Sequence, residues 1–212
     1  MREPLILGFD TSAAHCAAAL LMGPRVIAQR HEPMDKGQAE RLVPLLEDML
    51  SEAGHRWPDL TAIGVGIGPG NFTGIRIAVA AARGLALALR IPAIGITSFE
   101  ALAHGLPRPL LVTLDARRGA HYAQDIGAGA PFLVQDGTLP HPLPGRNCVG
   151  DDAGTFAVAT GGRALNPAFP LAEAIAREAL MRLGQDNPRP APLYLRAADA
   201  APSSDVPPRI LP

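Results

Sequence analysis

No excess charge of either sign marks this chain: 19 lysines and arginines stand against 20 aspartates and glutamates, for a net charge of −1. Such a balance offers no basic field to hold a phosphate backbone unaided, so any nucleic-acid contact has to be local or shared with a partner. Lysine is nearly missing, Lys36 being the only one, and without it no Walker-type phosphate loop can be built. Cysteine is scarce too. Cys16 and Cys148 lie far apart with no C-x-x-C pair, which fits free thiols in a cytoplasmic protein. His15, His31, His55, His104, His121 and His141 are dispersed, with no H-x-x-x-H pair to set two imidazoles on one helix face, so a metallohydrolase is not expected. Neither Ser98 nor Cys16 has the surroundings of an activated nucleophile. Met1-Arg2-Glu3-Pro4 shows no leader pattern. Long apolar runs are read as absent, Gly84 to Leu89 being a short stretch stopped by Arg90 and Pro92, so no membrane partner is expected.

What the chain does have is apolar material, 48% of 212 residues, enough for one domain or two small lobes. Leu5 to Phe9, His15 to Met22 and Arg25 to Arg30 read as a meander of strands. Ala39, Leu42, Val43, Leu46, Met49, Leu50 and Ala53 recur at helical spacing, and Pro44 lies inside that helix. A strand from Thr61, a glycine turn, a helix from about Thr73 to Leu89 and a strand at Ala93 to Ile96 follow. The β-β-β-α-β-α-β order predicts a mixed α/β sheet. A weaker second pass has strands at Leu110 to Leu114, Ala120 to Ile126 and Phe132 to Gln135, loops through Gly154, and a helix at Ala172 to Leu183. The expected division is an N-terminal lobe over 1–104, a reduced second lobe over 105–196 and a flexible Pro/Ala/Ser tail over 197–212.

The most informative segment is Gly68-Pro69-Gly70-Asn71-Phe72-Thr73-Gly74-Ile75-Arg76, a strand, a rigid turn and a helix start. Asn71 or Thr73 can cap the helix. Amides at such a helix start attract anions, yet the third glycine comes one residue late for the dinucleotide fingerprint, so a structural turn and a ligand loop both stay open. Asp10-Thr11-Ser12, at a strand's end, could hold a hydrated Mg²⁺ and a phosphate, or Asp10 could simply cap its own turn. Asp115-Ala116-Arg117-Arg118-Gly119 is a second strand-end turn whose arginines could take a phosphate or carboxylate, or face solvent.

The string GxGPGNFTGIRIAVAAARGLALAL resembles the signature of the TsaB (YeaZ) family of bacterial tRNA threonylcarbamoyladenosine biosynthesis proteins, a glycoprotease-like group within the actin-like ATPase superfamily. The opening LILGFDTSAAHCAAALL, KGQAERLVPLLEDMLSEAG, IPAIGITSFEALA, DARRGAHYAQ and PLYLR also match, so the likeness runs from about Leu5 to Arg196. It implies two actin-like (ribonuclease H-like) lobes, the second reduced, with Gly68, Pro69, Gly70, Phe72, Thr73, Gly74, Arg76, Asp115, Arg117, Arg118 and Gly119 as motif residues. It further implies a noncatalytic subunit that pairs with TsaD and, with TsaE, supports threonylcarbamoylation of the adenosine beside the tRNA anticodon. The protein would be a homodimer when alone, touch tRNA indirectly and have no cofactor of its own, with ATP or ADP possible at a shared interface. The helix pair at Gln38 to Ala53 and Thr73 to Leu89 would meet its counterpart through Gln38, Arg41, Leu42, Leu45, Ala78, Ala82 and Leu85. Where TsaD carries a metal motif, Ser98 and Leu102 stand here, and leucine cannot ligate a metal. The competing readings are a small actin-like ATPase or kinase using Asp10 and Asp115 with Mg²⁺, and an independent tRNA-binding protein.

Overall fold

The computed structural model describes residues 3–195; Met1, Arg2, Arg196 and the expected tail at 197–212 lie outside the described residues. The strands form two five-stranded sheets. In the first, β1 (Leu5–Asp10), β2 (His15–Met22) and β3 (Arg25–Pro33) make an antiparallel meander, and β4 (Ala62–Gly66) and β5 (Ala93–Ile96) add parallel beside β1, giving the order β3-β2-β1-β4-β5. The second repeats this plan with β6 (Leu110–Asp115), β7 (His121–Asp125), β8 (Phe132–Val134), β9 (Asn147–Gly150) and β10 (Ala164–Leu165), ordered β10-β9-β6-β7-β8. Asp10 and Asp115 thus end equivalent strands, as the sequence suggests.

The two-residue period of a strand explains how one sheet feeds two cores. From β1, Leu5, Leu7 and Phe9 point to one face, where they meet Leu42, Leu45, Leu46, Met49 and Leu50 of α1 (Gln38–Glu52) and Ala78 and Ala82 of α2 (Phe72–Leu89). Ile6 points to the other face, packing with Ala172, Ile175, Ala176 and Ala179 of α5 (Leu171–Met181). Gly8 and Gly64 are neighbours across β1 and β4, and a Cβ on Gly64 would lie 2.8 Å from the Ala179 Cβ. Bare backbone there lets α5 lie directly on the sheet.

That position of α5 corrects the expected division at residue 105. The last helix covers the first sheet, while Phe99 and Ala103 of α3 (Ser98–Ala103), on the N-terminal side of the boundary, pack on Leu110, Val112 and Val149 of the second. Each lobe's sheet is therefore closed by a helix from the other's stretch of chain. The stretch read as loops up to Gly154 contains β9, and α4 (Ala153–Thr160) follows it. The second lobe is smaller because nothing between β8 and β9 corresponds to α1.

The apolar run of α2 also exceeds the sequence-based expectation. All 18 residues from Phe72 to Leu89 are helical, long and apolar enough by length and composition to cross a membrane, yet Gly74, Ile75, Ala78, Val79 and Ala82 are buried in the protein's own interior. Only 28% of the helix is buried, and that leaves an apolar surface to be explained.

Candidate functional site

The carboxyl ends of β1 and β4 and the start of α2 meet at one place, and backbone atoms hold them together. Asp10, Thr11 and Ser12 are 1%, 0% and 6% exposed. Asp10 Oδ1 accepts from Ser12 N at 2.8 Å and Ser12 Oγ at 2.9 Å, and His15 Nε2 lies 2.9 Å away. Asp10 Oδ2 has no partner and faces Gly66, where a side chain would collide with it. Thr11 Oγ1 donates to the Gly74 carbonyl at 2.7 Å, and Asn71 N donates to the Ser12 carbonyl at 2.6 Å. Cβ atoms on Gly70 and Gly74 would run into the backbone of Ser12 and Thr11. The glycines of the motif thus permit one turn to be pressed against another.

Of the two candidate caps it is Asn71 that serves, its Oδ1 accepting from Thr73 N at 3.0 Å and Gly74 N at 3.1 Å. Two of the amides that could have drawn in a phosphate are satisfied by this side chain. This cap and the contact of Gly70 and Gly74 with the Asp10–Ser12 turn fit the structural-turn reading of the segment. Pro69 is buried, and its carbonyl accepts from Ser98 Oγ at 3.1 Å; Gly68 takes a left-handed φ of 92°. Asn71, Phe72, Thr73 and Arg76 are the exposed side chains of this segment, and Asn71 is engaged as the cap.

The equivalent turn in the second lobe is open instead. Asp115 Oδ1 accepts from Arg117 N at 2.7 Å, Asp115 N donates to Asp151 Oδ2 at 2.8 Å, and Arg117, Arg118 and Gly119 have φ of 64°, 55° and 75°. His121 Nε2 sits 2.9 Å from Asp152 Oδ2. One strand-end aspartate is sealed in and the other is in solvent, so Asp10 and Asp115 do not share an environment that would suit paired magnesium ligands. A cavity of about 490 Å³ beside Asp151, between Leu102 and Gly154, has no lysine or arginine in its lining to receive a phosphate. Ser98 is buried under the glycine turn and Leu102 packs into the second lobe's core.

On the helix pair the structure corrects the expected contact face. Leu42, Leu45, Ala78 and Ala82 are 1%, 1%, 0% and 0% exposed within the protein's own core, and Leu85 is half-buried against it. A helix has one face for its own sheet, and Ala78 and Ala82 occupy that face because α2 lies close on β4. Gln38 donates to the Met34 carbonyl, and Arg41 forms a two-pronged bond to Glu32 at 2.7 Å on each oxygen, which holds the Glu32 carboxyl below its ordinary range. The open face is a different set: Val43 at 41% exposure and Pro44 on α1, and Ala80, Gly84, Leu87 at 80% and Ala88 on α2. Gly84 meets nothing within 4 Å, so the isolated fold gives no reason for a glycine there.

Neither thiol is poised for catalysis. Burial pushes Cys16 from 9.0 to about 11 and raises Cys148 as well. Reactive cysteines are shifted the other way. Because the folded form keeps its proton longer, the stability linked to Cys16 is complete below pH 9 and lost as pH rises through 11. With a disulfide reagent at pH 8, the native protein should release no thiol colour, and denaturant should expose both cysteines; prompt reaction of the native form would contradict the burial.

Two lobes with one strand plan, their carboxyl-edge turns ending in Asp10 and Asp115, define an actin-like α/β protein of the ribonuclease H-like class. Residues 24–134 match the family model described as TsaD, tRNA N6-adenosine threonylcarbamoyltransferase. The chain is 35% identical to tRNA threonylcarbamoyladenosine biosynthesis protein TsaB of Escherichia coli over 55% of its own length and 52% of that protein's. It is 34% identical to TsaB of Bacillus subtilis, over 67% of its own length and 61% of that protein's. Each match therefore spans between half and two thirds of the relative. The solved structure of YeaZ from Pseudomonas aeruginosa superposes with a TM-score of 0.69 at 28% identity, covering 91% of this chain and all of that one. The chain belongs to the TsaB (YeaZ) family of tRNA threonylcarbamoyladenosine biosynthesis proteins.

Proposed function

We propose that this chain is a noncatalytic accessory subunit that pairs with TsaD and, with TsaE, supports threonylcarbamoyl transfer to the adenosine beside the tRNA anticodon. One observation carries the reading: where a catalytic relative would place its metal ligands, Ser98 is buried under the glycine turn and Leu102 is a side chain that cannot ligate a metal, while α1 and α2 leave Val43, Pro44, Gly84, Leu87 and Ala88 uncovered. Glycine in a helix interior costs about 1 kcal/mol relative to alanine, and close approach of a partner helix would offset it at Gly84. Exposed apolar surface of this kind marks an interface. The same face would serve a homodimer when TsaD is absent, tRNA contact would be indirect, and any ATP or ADP would sit at a joint surface. Such a subunit works where tRNA is modified, in the cytoplasm.

Co-purification with TsaD tests the pairing, and assay of the isolated protein tests the rest. Alone it should form no threonylcarbamoyladenosine and show no useful ATP hydrolysis, and it should yield modified tRNA when TsaD and TsaE are added with threonylcarbamoyl-AMP. Turnover of about 1 per second or more by TsaD-free protein would establish the ATPase or kinase reading in its place.

A further inference from the structure

The outward-facing motif residues Phe72 and Arg76 are taken up by the C-terminal end of the described chain. Beyond α5 the backbone turns back, with Asn187 Nδ2 donating to the Arg182 carbonyl at 2.9 Å. Pro190 is buried over Gly95, at the carboxyl edge of β5. Leu193 N donates to the Ile67 carbonyl at 2.8 Å, just past β4, and the Leu193 carbonyl rests over Gly68. Tyr194 stacks beside Phe72 with centroids 5.1 Å apart and accepts from Arg76 Nε at 2.7 Å, while the Arg76 guanidinium covers the Phe72 ring at 3.6 Å. Leu195 then packs on the cluster of Phe99, Leu110, Val112 and Val149 in the second lobe.

The described chain crosses between the sheets twice in regular connections, from α3 to β6 and from β10 to α5. Residues 190–195 make a third link, fastened by contacts alone. Its latch is accessible, since Phe72 is 39% and Tyr194 43% exposed. Exposed links with few buried neighbours open at lower free energy than the core. We infer that residues 190–195 are a releasable clasp that sets the angle between the two sheets, with Arg76 as its latch on Tyr194. Closed, it covers the carboxyl edge of β4 and β5, the crevice where open α/β sheets take ligands. Open, it frees that crevice and the second lobe together.

The test uses the full chain with Arg76→Ala and, separately, Tyr194→Ala. Amide exchange of the clasp is followed by mass spectrometry, and the lobe separation by spin labels on Leu87→Cys in α2 and Val158→Cys in α4, diluted into excess unlabelled protein so that only the distance within one chain is read. Those sites are 80% and 85% exposed, whereas native Cys16 and Cys148 are 0% exposed and stay unlabelled. Release should speed exchange at Leu193 about tenfold or more, broaden a single narrow distance, and leave Leu42 to Leu50 protected. Unchanged exchange at Leu193 in both variants would remove Arg76 and Tyr194 as the latch. Faster exchange with an unaltered distance would show that the segment does not set the angle. Loss of protection in Leu42 to Leu50 as well would make the cluster part of the core instead of a clasp.

Discussion

Gly74→Ala should destabilise the protein by about 3 kcal/mol, although alanine is the better helix former by about 1 kcal/mol. The sign reverses because of what lies across from Gly74. Its position in the first turn of α2 faces the Thr11 carbonyl, and an added Cβ would fall inside the contact radius of that oxygen. Both partners are backbone, so no side chain can swing aside. Relief requires α2 to retreat from the β1–β2 turn, which stretches the Thr11 to Gly74 and Asn71 to Ser12 hydrogen bonds at once. At roughly 2–4 °C per kcal/mol for a chain of this size, the midpoint of thermal unfolding should drop by roughly 6–12 °C. Measured on dilute, monomeric protein, Gly84→Ala, in the same helix with open space around it, should instead raise the midpoint slightly. Equal behaviour of the two variants would refute the claim that the motif glycines exist for close approach.

That contrast shows what the sequence discloses about the motif and what it withholds. Glycine spacing marks a tight turn before a helix, and the turn is there; it does not say whether bare backbone admits a ligand or another piece of chain. Only the tertiary position of Asp10-Thr11-Ser12, more than fifty residues upstream, decides for chain. The meander, both main helices and the strand-end aspartates were legible because period-2 and period-3.6 apolar patterns are local. Strand β9 and α4 were hidden by glycine and proline on either side, and α4 is apolar almost all round, with no stripe to read. The exchange of α3 and α5 between lobes leaves no local trace at all. The face of α2 failed for a related reason: small residues suit a partner helix and the protein's own sheet equally, and the choice rests on where β4 lies. Arg76 and Phe72 were legible as motif residues, but their partner Tyr194 lies 118 residues further on and no spacing rule connects them.

Ala82→Arg should fail to fold, whereas Leu87→Arg should fold normally and lose TsaD. Ala82 is 0% exposed among Leu7, Leu46, Met49 and the other residues of the first core, and no carboxylate belongs to that cluster. An unpaired guanidinium placed there costs several kcal/mol in desolvation and displaces neighbours packed at crystal density, against a total stability of about 5–15 kcal/mol. Expression in inclusion bodies, or a soluble form without a cooperative transition, is the expected result; a variant with the wild-type midpoint would show that α2 does not present this face to the sheet. Leu87, one and a half turns further along and 80% exposed in the single chain, supports nothing within its own fold, so its replacement should shift the stability of the monomer by no more than a few tenths of a kcal/mol while weakening the homodimer proposed for the same face. If Leu87 lies at the centre of the TsaD contact, a buried arginine without a counter-charge should cost about 2 kcal/mol or more, a loss of roughly thirtyfold in affinity. Formation of modified tRNA in the reconstituted system should decline with it. Titration calorimetry on the folded variant decides the point: binding of TsaD at wild-type strength would exclude the uncovered face of α2, and with it the surface on which the proposed pairing depends.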